Sequence, residues 1–236
     1  MKTVIVSCTQ TTTTEEISKL EIVKSFERNL KSTCDFSLVT NNKQGLPKVY
    51  NEFLSRHRDK DTEWLVFVHD DVYIDDADLN KKLDKAYNDH QFNIVGLAGC
   101  ASPTLREHNL WHIMASKENL HGHVAHPIGR SYNNEPQIRV TSFGPTPSRV
   151  TIVDGLFIAV HIPSTRDSGW KFNENYRFHH YDISSCIDAN RAKLKIGVYP
   201  INVMHLSPGL RSLEDAAWSS SNIKFLKEYN VQAKQD

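Results

Sequence analysis

Cysteine is scarce: the 236 residues hold four, Cys8, Cys34, Cys100 and Cys186, widely spaced and with no C-x-x-C pair. That argues against a zinc knuckle and a dense disulfide framework, and the expectation is a reduced, cytoplasmic protein. Neither sign of charge is in excess. Lys plus Arg and Asp plus Glu number 28 each, so no global basic field recruits nucleic acid or an anionic membrane, although a local basic groove stays open. No apolar run approaches the ~20 residues of a membrane helix. Met1-Lys2 leads directly into the strand-like Val4-Ile5-Val6 and leaves no room for a signal peptide, so no membrane insertion is expected. Internal repeats are absent, and the threonine tract after Gln10 is the only low-complexity stretch. A chain of this length can bury a substantial core, and one α/β domain is favoured.

What is present is organised around Glu63 to Ile74, an apolar run that ends abruptly in His69, Asp70 and Asp71. Leu65 to Val68 is short, β-rich and free of charge, which reads as a strand buried on both faces of a mainly parallel sheet. In open α/β sheets the carboxyl ends of the strands form the ligand crevice. An imidazole and carboxylates delivered there suit a divalent cation that holds phosphate oxygens. The competing reading is that Asp70 and Asp71 only begin a turn or cap the next helix.

Around that strand the pattern alternates. Thr3 to Cys8 reads as a strand, and Thr13 with Glu16 as a capping box before Ile17, Leu20, Val23, Phe26 and Leu30 at helical spacing. Phe36 to Thr40 reads as a second strand, followed by a turn-rich loop and a helix opened by Pro47. Asp75 or Asp76 is expected to cap a helix carrying Leu79, Leu83, Ala86 and Tyr87, and Asn93 to Ala98 is a fourth strand. Such alternation indicates parallel β-α-β units. From Gly99 to Pro147 the periodicity disappears, which predicts a long irregular functional loop. Strand character returns from Arg149 to Val160, broken at Asp154-Gly155. A helix is expected from Ile183 to Lys193, then short strands at Lys195–Tyr199 and Ile201–Met204. A last helix follows, with Ser212 and Asp215 able to cap and Ile223, Phe225, Leu226 and Tyr229 packing inward; the final residues are expected to fray.

Several pieces in this order carry a resemblance: Val4 to Thr9, Gly45-Leu46-Pro47 with Asn51, Phe67 to Val72, Val153 to Phe157, His180-Tyr181-Asp182, Ile196-Gly197-Val198 and Met204 to Ser207. In these the chain resembles the nucleotide-sugar glycosyltransferases of GT-A fold, related to the family-two enzymes and to the streptomycin-biosynthesis-type group. The resemblance implies a single GT-A (Rossmann-like) α/β domain with a mainly parallel central sheet and a long irregular acceptor-side loop region. Residues 1–100 would form the nucleotide-sugar half and 101–236 the acceptor-binding and catalytic half. It further implies transfer, with inversion, of one sugar from a nucleoside diphosphate, uridine-linked, to a hydroxyl acceptor, with Mn²⁺ or Mg²⁺ on the diphosphate. The acceptor is left open among a saccharide, a small molecule, a protein side chain and a hydroxylated nucleobase in DNA, for which Arg130, Arg139 and Arg149 could form a basic strip.

Residue by residue, the resemblance makes Asp71, His205 and His69 metal ligands, with His69 standing where the family's Asp-x-Asp begins. Asp182 takes the place of the catalytic carboxylate, while Tyr181 and Ser184 stand where acidic residues are usual. A helix-capping role competes for Asp182, and a hydrogen-bonded histidine at a strand end competes for His205. Thr9, Asn41, Asn42, Asn51, Asp70, Asp154, Gly155 and Arg211 fall on the donor side, with turn chemistry, a bulge or a solvated arginine as the competing readings. Trp111, Trp170, His180 and Tyr181 fall on the acceptor side. The histidines His108, His112, His121, His123 and His126 invite a zinc reading, but their spacing lacks a fourth identifiable ligand, and lining the acceptor pocket or hydrogen-bonding within the loop is preferred. Two alternatives remain. A nucleotidyltransferase normally carries a Gly-rich basic loop where this chain has Thr9-Gln10-Thr11-Thr12, and a binding module without turnover is suggested by the altered His69-Asp70-Asp71. A processive synthase is disfavoured by the lack of a Gln-x-x-Arg-Trp signature.

Overall fold

The computed structural model describes residues 2–130, 136–207 and 215–232. Arg211 and Ser212, singled out above, lie outside the described residues, as do the last four of the chain.

The first half follows the alternating pattern. Strand β1 (Lys2–Cys8) pairs in parallel with β2 (Asp35–Val39) and with β3 (Thr62–His69). Between β1 and β2, Thr13 caps α1 (Thr14–Ile17): its Oγ1 accepts from the Glu16 N–H and donates to the Glu16 carboxylate. The single helix expected here is interrupted, because Leu20 is extended (φ −62°, ψ 137°) and the chain restarts as α2 (Glu21–Ser25), passing into a π-helical turn at Phe26–Leu30. Helix α3 (Leu46–His57) carries Pro47 in its first turn, where the missing N–H has no intrahelical partner to lose. Trp64 to Val68 are fully buried, as a strand covered on both faces requires.

After β3 come β4 (Val72–Ile74) and α4 (Leu79–His90). Neither Asp75 nor Asp76 is its N-cap; that position is Asp78, and the buried Asp76 carboxylate instead accepts from Asn202 N–H, Asp78 N–H and Lys82 Nζ. The fourth strand divides at Leu97 into β5 (Ile94–Gly96) and β6 (Ala98–Cys100), which join different sheets. Gly99 lets the chain at Ile152 and Val153 pair closely with β6: a Cβ there would lie 2.1 Å from the Ile152 carbonyl oxygen.

The segment expected to be irregular is not so throughout. It contains an antiparallel hairpin, β7 (Leu120–Arg130) and β8 (Pro136–Gly144). On β7 only Gly122 and Val124 are buried, while Ile128, Ile138 and Val140 face solvent, so alternation gives no apolar signal. Next are β9 (Ser148–Val150), β10 (Ile152–Val153), β11 (Phe157–His161), α5 (Ile162–Thr165), α6 (Tyr181–Arg191), β12 (Ile196–Val198), β13 (Val203–His205) and α7 (Ala216–Gln232). In α7 the buried residues are Trp218, Asn222, Phe225 and Tyr229, whereas Ile223 points to solvent, against expectation, because it is one position off that stripe. Asp215 caps this helix, accepting from Trp218 N–H at 2.9 Å.

The seven-stranded sheet has the order β2-β1-β3-β11-β5-β12-β9. Strands β2, β1, β3, β5 and β12 run one way and β11 and β9 the other, so the central sheet is mainly parallel. The second sheet runs β10-β6-β7-β13-β4, with β8 beside β7. One contiguous apolar cluster joins residues from both sheets and from α3, α4 and α6. This is the α/β domain that the alternation predicts.

Candidate active site

A cleft of about 760 Å³ opens at the carboxyl end of β3, walled by β7, β8, β13 and the first turns of α6 and α7. His69 ends β3, and the turn into β4 carries Asp71. Because β13 runs antiparallel to β4 with His205 opposite Val72, the His205 ring arrives beside that turn, its Nε2 3.5 Å from Asp71 Oδ1. The Asp71 carbonyl accepts from Leu206 N–H at 3.0 Å, which fixes the approach.

Ligand atoms of His69, Asp71 and His205 all lie within 4.8 Å of one another, and no other such group occurs among the described residues. Asp71 Oδ1 is buried and accepts no hydrogen bond. A buried carboxylate oxygen whose nearest donor is the His205 imidazole at 3.5 Å, too long for a good hydrogen bond, and that a second imidazole also faces, is a chemically suitable cradle for a divalent cation. Burial pushes the Asp71 carboxyl up, but the imidazoles of His205 and His69 outweigh it and hold the group below the usual carboxylate range. Burial pulls His205 down, and Asp71 more than restores it; burial wins at His69, which titrates lower than an ordinary histidine.

On the facing wall, Asp182 lies in the first turn of α6 and is not its N-cap, which is His180 in the left-handed region (φ 64°). Asp182 Oδ2 accepts from the Gly155 N–H at 3.0 Å. Burial, reinforced by the neighbouring Asp154 charge, raises its pKa to about 7. Each Asp154 oxygen has one protein donor, with Oδ2 accepting from Trp111 Nε1 at 2.7 Å and Oδ1 from Leu156 N–H at 3.0 Å, which leaves lone pairs toward the cleft. Tyr181 is buried, with Oη donating to the Gly155 carbonyl at 2.7 Å. His180 is buried with Nδ1 2.9 Å from Ser221 Oγ, and burial lowers its pKa to about 4.

The structure thus brings together His69, Asp71, Asp154, Gly155, His180, Tyr181, Asp182, His205 and Trp111 around one cleft. His112 and His126 line it too, but His108, His121 and His123 do not. Trp170 is elsewhere: its indole N–H donates to the Ser185 carbonyl and its ring borders a separate, smaller cavity. Thr9, Asn41, Asn42, Asn51 and Asp70 are also outside the cleft lining. Thr9 Oγ1 accepts from Thr11 N–H, Asn42 Oδ1 from Gln44 N–H, and Asn51 clasps the Phe172 backbone through both ends of its amide. Of the proposed basic strip, Arg130 and Arg139 lie on the β7–β8 hairpin and Arg149 on β9. Phe143, Phe178 and Trp218, which the sequence reading does not single out, add aromatic walls; the signal available for Phe178 is the aromatic spacing Trp170, Phe172, Tyr176, Phe178 and Tyr181.

A family model described as "Glycosyltransferase like family" matches residues 4–235. No curated protein matches the chain. Among solved structures, A197 from STIV is 11% identical with a TM-score of 0.47, over 88% of this chain and 86% of that one. TarS from S. aureus is 15% identical with a TM-score of 0.49, over 88% of this chain and 37% of that one. TarS residues 1–349 are 16% identical with a TM-score of 0.47, over 88% of this chain and 61% of that one.

Proposed function

The chain belongs to the glycosyltransferase-like family, and from that premise we propose an inverting transferase that moves one sugar from a uridine diphosphate sugar to an acceptor hydroxyl. The observation that carries the proposal is the meeting of Asp71, Asp182 and His205, far apart in sequence, around one cleft. The motif order supports a place near the streptomycin-biosynthesis-type group. We assign the donor to the half formed by residues 1–100 and the acceptor and catalysis to 101–236.

In this reading His69, Asp71 and His205 would hold Mn²⁺ or Mg²⁺, which when bound neutralises charge on the donor diphosphate. Asp154 and Gly155 border the sugar, and Thr9, Asn41, Asn42, Asn51 and Asp70 set the loops around the nucleotide. Arg211, outside the described residues, would close on the diphosphate. Asp182 accepts the proton of the acceptor hydroxyl as that oxygen bonds to the anomeric carbon and the bond to the diphosphate breaks. One base with no enzyme nucleophile gives inversion. Trp111, His180 and Tyr181 form the acceptor side together with Phe178 and Trp218, whose flat faces suit a ring. All four cysteines are free and buried, which supports a reducing, cytoplasmic setting. No helix among the described residues is long and apolar enough to cross a membrane.

Incubation with a panel of nucleoside diphosphate sugars and Mn²⁺ tests the proposal. Diphosphate release identifies a transferase. Pyrophosphate chemistry would identify a nucleotidyltransferase, and binding without turnover a module that has lost catalysis.

A further inference from the structure

One buried phenol decides which nitrogen of His69 is free. Tyr181 begins α6 with only 2% of its surface exposed, and the rings of Tyr50 and Phe172 pack on it at centroid distances of 6.0 and 6.4 Å. Its Oη lies 2.7 Å from the Gly155 carbonyl oxygen, a group that can only accept, so the phenol proton points there. Its oxygen also meets the Tyr50 hydroxyl, which can donate to one lone pair, and His69 Nε2 at 3.2 Å. With its own proton committed, the phenol oxygen can only accept from His69, which places a hydrogen on Nε2. In the neutral ring that leaves the lone pair on Nδ1.

We propose that Tyr181 is a positioning residue: it holds His69 in the Nε2–H tautomer and so presents Nδ1 to the cation shared with Asp71 and His205. Gly155 is part of the device, since a Cβ at that position would lie 2.6 Å from Tyr181 Oη and push the phenol off the carbonyl. His69 and Tyr181 are two positions where acidic residues are usual in the family pattern, and here they touch each other. Two carboxylates are replaced by one neutral pair whose hydrogen-bond direction is set by the backbone. The consequence for the cation rests on the metal reading given above; the tautomer does not.

The test uses the whole chain, first metal-free and then with Mn²⁺ alone. In ¹⁵N-edited NMR of the imidazoles, the wild-type His69 should show a protonated Nε2 and a bare Nδ1. Tyr181→Phe removes the acceptor, so the His69 signals should move toward a tautomer mixture. Mn²⁺ affinity by electron paramagnetic resonance should then weaken about 10- to 100-fold, the range for loss of a partner that orients a metal ligand. A wild-type His69 carrying its proton on Nδ1 overturns the proposal, and this readout stands even if the variant fails to fold. An unchanged tautomer and Mn²⁺ affinity in Tyr181→Phe overturns it as well. If wild type binds no Mn²⁺ while His69 is still the Nε2–H form, the metal reading fails and the hydrogen-bond relay survives.

Discussion

The Gly155 N–H donates to Asp182 Oδ2 at 3.0 Å, so the loop after β10 and the first turn of α6 are locked together at the floor of the cleft. One carboxylate oxygen is thereby held by the backbone. Asp182 still borders the cleft, where an acceptor hydroxyl can meet it.

With burial and Asp154 raising Asp182 to about 7, the ionised base accumulates only as pH rises through that value, so kcat/KM should climb to a plateau above it. Asp182→Asn should lose roughly 10²- to 10⁴-fold in turnover, the range for a positioned base. The stability sign runs the other way from a salt-bridged carboxylate. A folded-state pKa of about 7 against an ordinary 3.8 means that the favourable contribution is complete below the lower value and lost as pH rises through the upper one. Asp182→Asn should therefore raise the melting temperature at pH 8, and the gain should shrink by pH 5 in thermal scans at both values.

How much of this was legible beforehand depends on where the apolar residues lie. Strand β3 announces itself because five consecutive residues, Trp64 to Val68, are all fully buried, and α3 because Val49, Tyr50 and Phe53 repeat at helical spacing. The β7–β8 hairpin is hidden because few of its residues are buried, only His126 of its three histidines reaches the cleft, and its Ile138 and Val140 face outward, which inverts the usual pattern. Asp71, Asp182 and His205 could be nominated from motif order, but the approach of His205 to Asp71 depends on the pairing of β13 with β4, which no local signal specifies. Asp76 and Trp170 misled for the opposite reason: residue types suited to capping and to stacking are satisfied here within the protein.

Gly155→Ala is the second substitution to make. The added methyl would sit 2.6 Å from Tyr181 Oη, and the buried ring around it cannot retreat freely. Overpacking of this kind typically costs about 1–3 kcal/mol. We expect a lower melting temperature together with reduced turnover, because Asp182 loses the geometry of its backbone donor; calorimetry and nucleotide release on one preparation check both.

Trp111→Phe isolates Asp154. Removing the indole N–H breaks the 2.7 Å bond to Oδ2 but keeps an aromatic wall. A hydrogen bond to a charged group contributes roughly 1.5–3 kcal/mol, so stability should fall by that order. Donor KM should rise more than kcat falls, because Asp154 is assigned to ground-state sugar contacts; initial-rate kinetics against donor concentration separates the two.

The most direct measurement is Mn²⁺-dependent binding of UDP, by calorimetry, to Asp71→Ala and Asp182→Asn, beside transfer assays on the same preparations. The account predicts that Asp71→Ala loses the Mn²⁺-dependent binding, whereas Asp182→Asn binds UDP as wild type does and fails to turn over. Equal loss of binding in both variants, or wild-type turnover in Asp182→Asn, would contradict it.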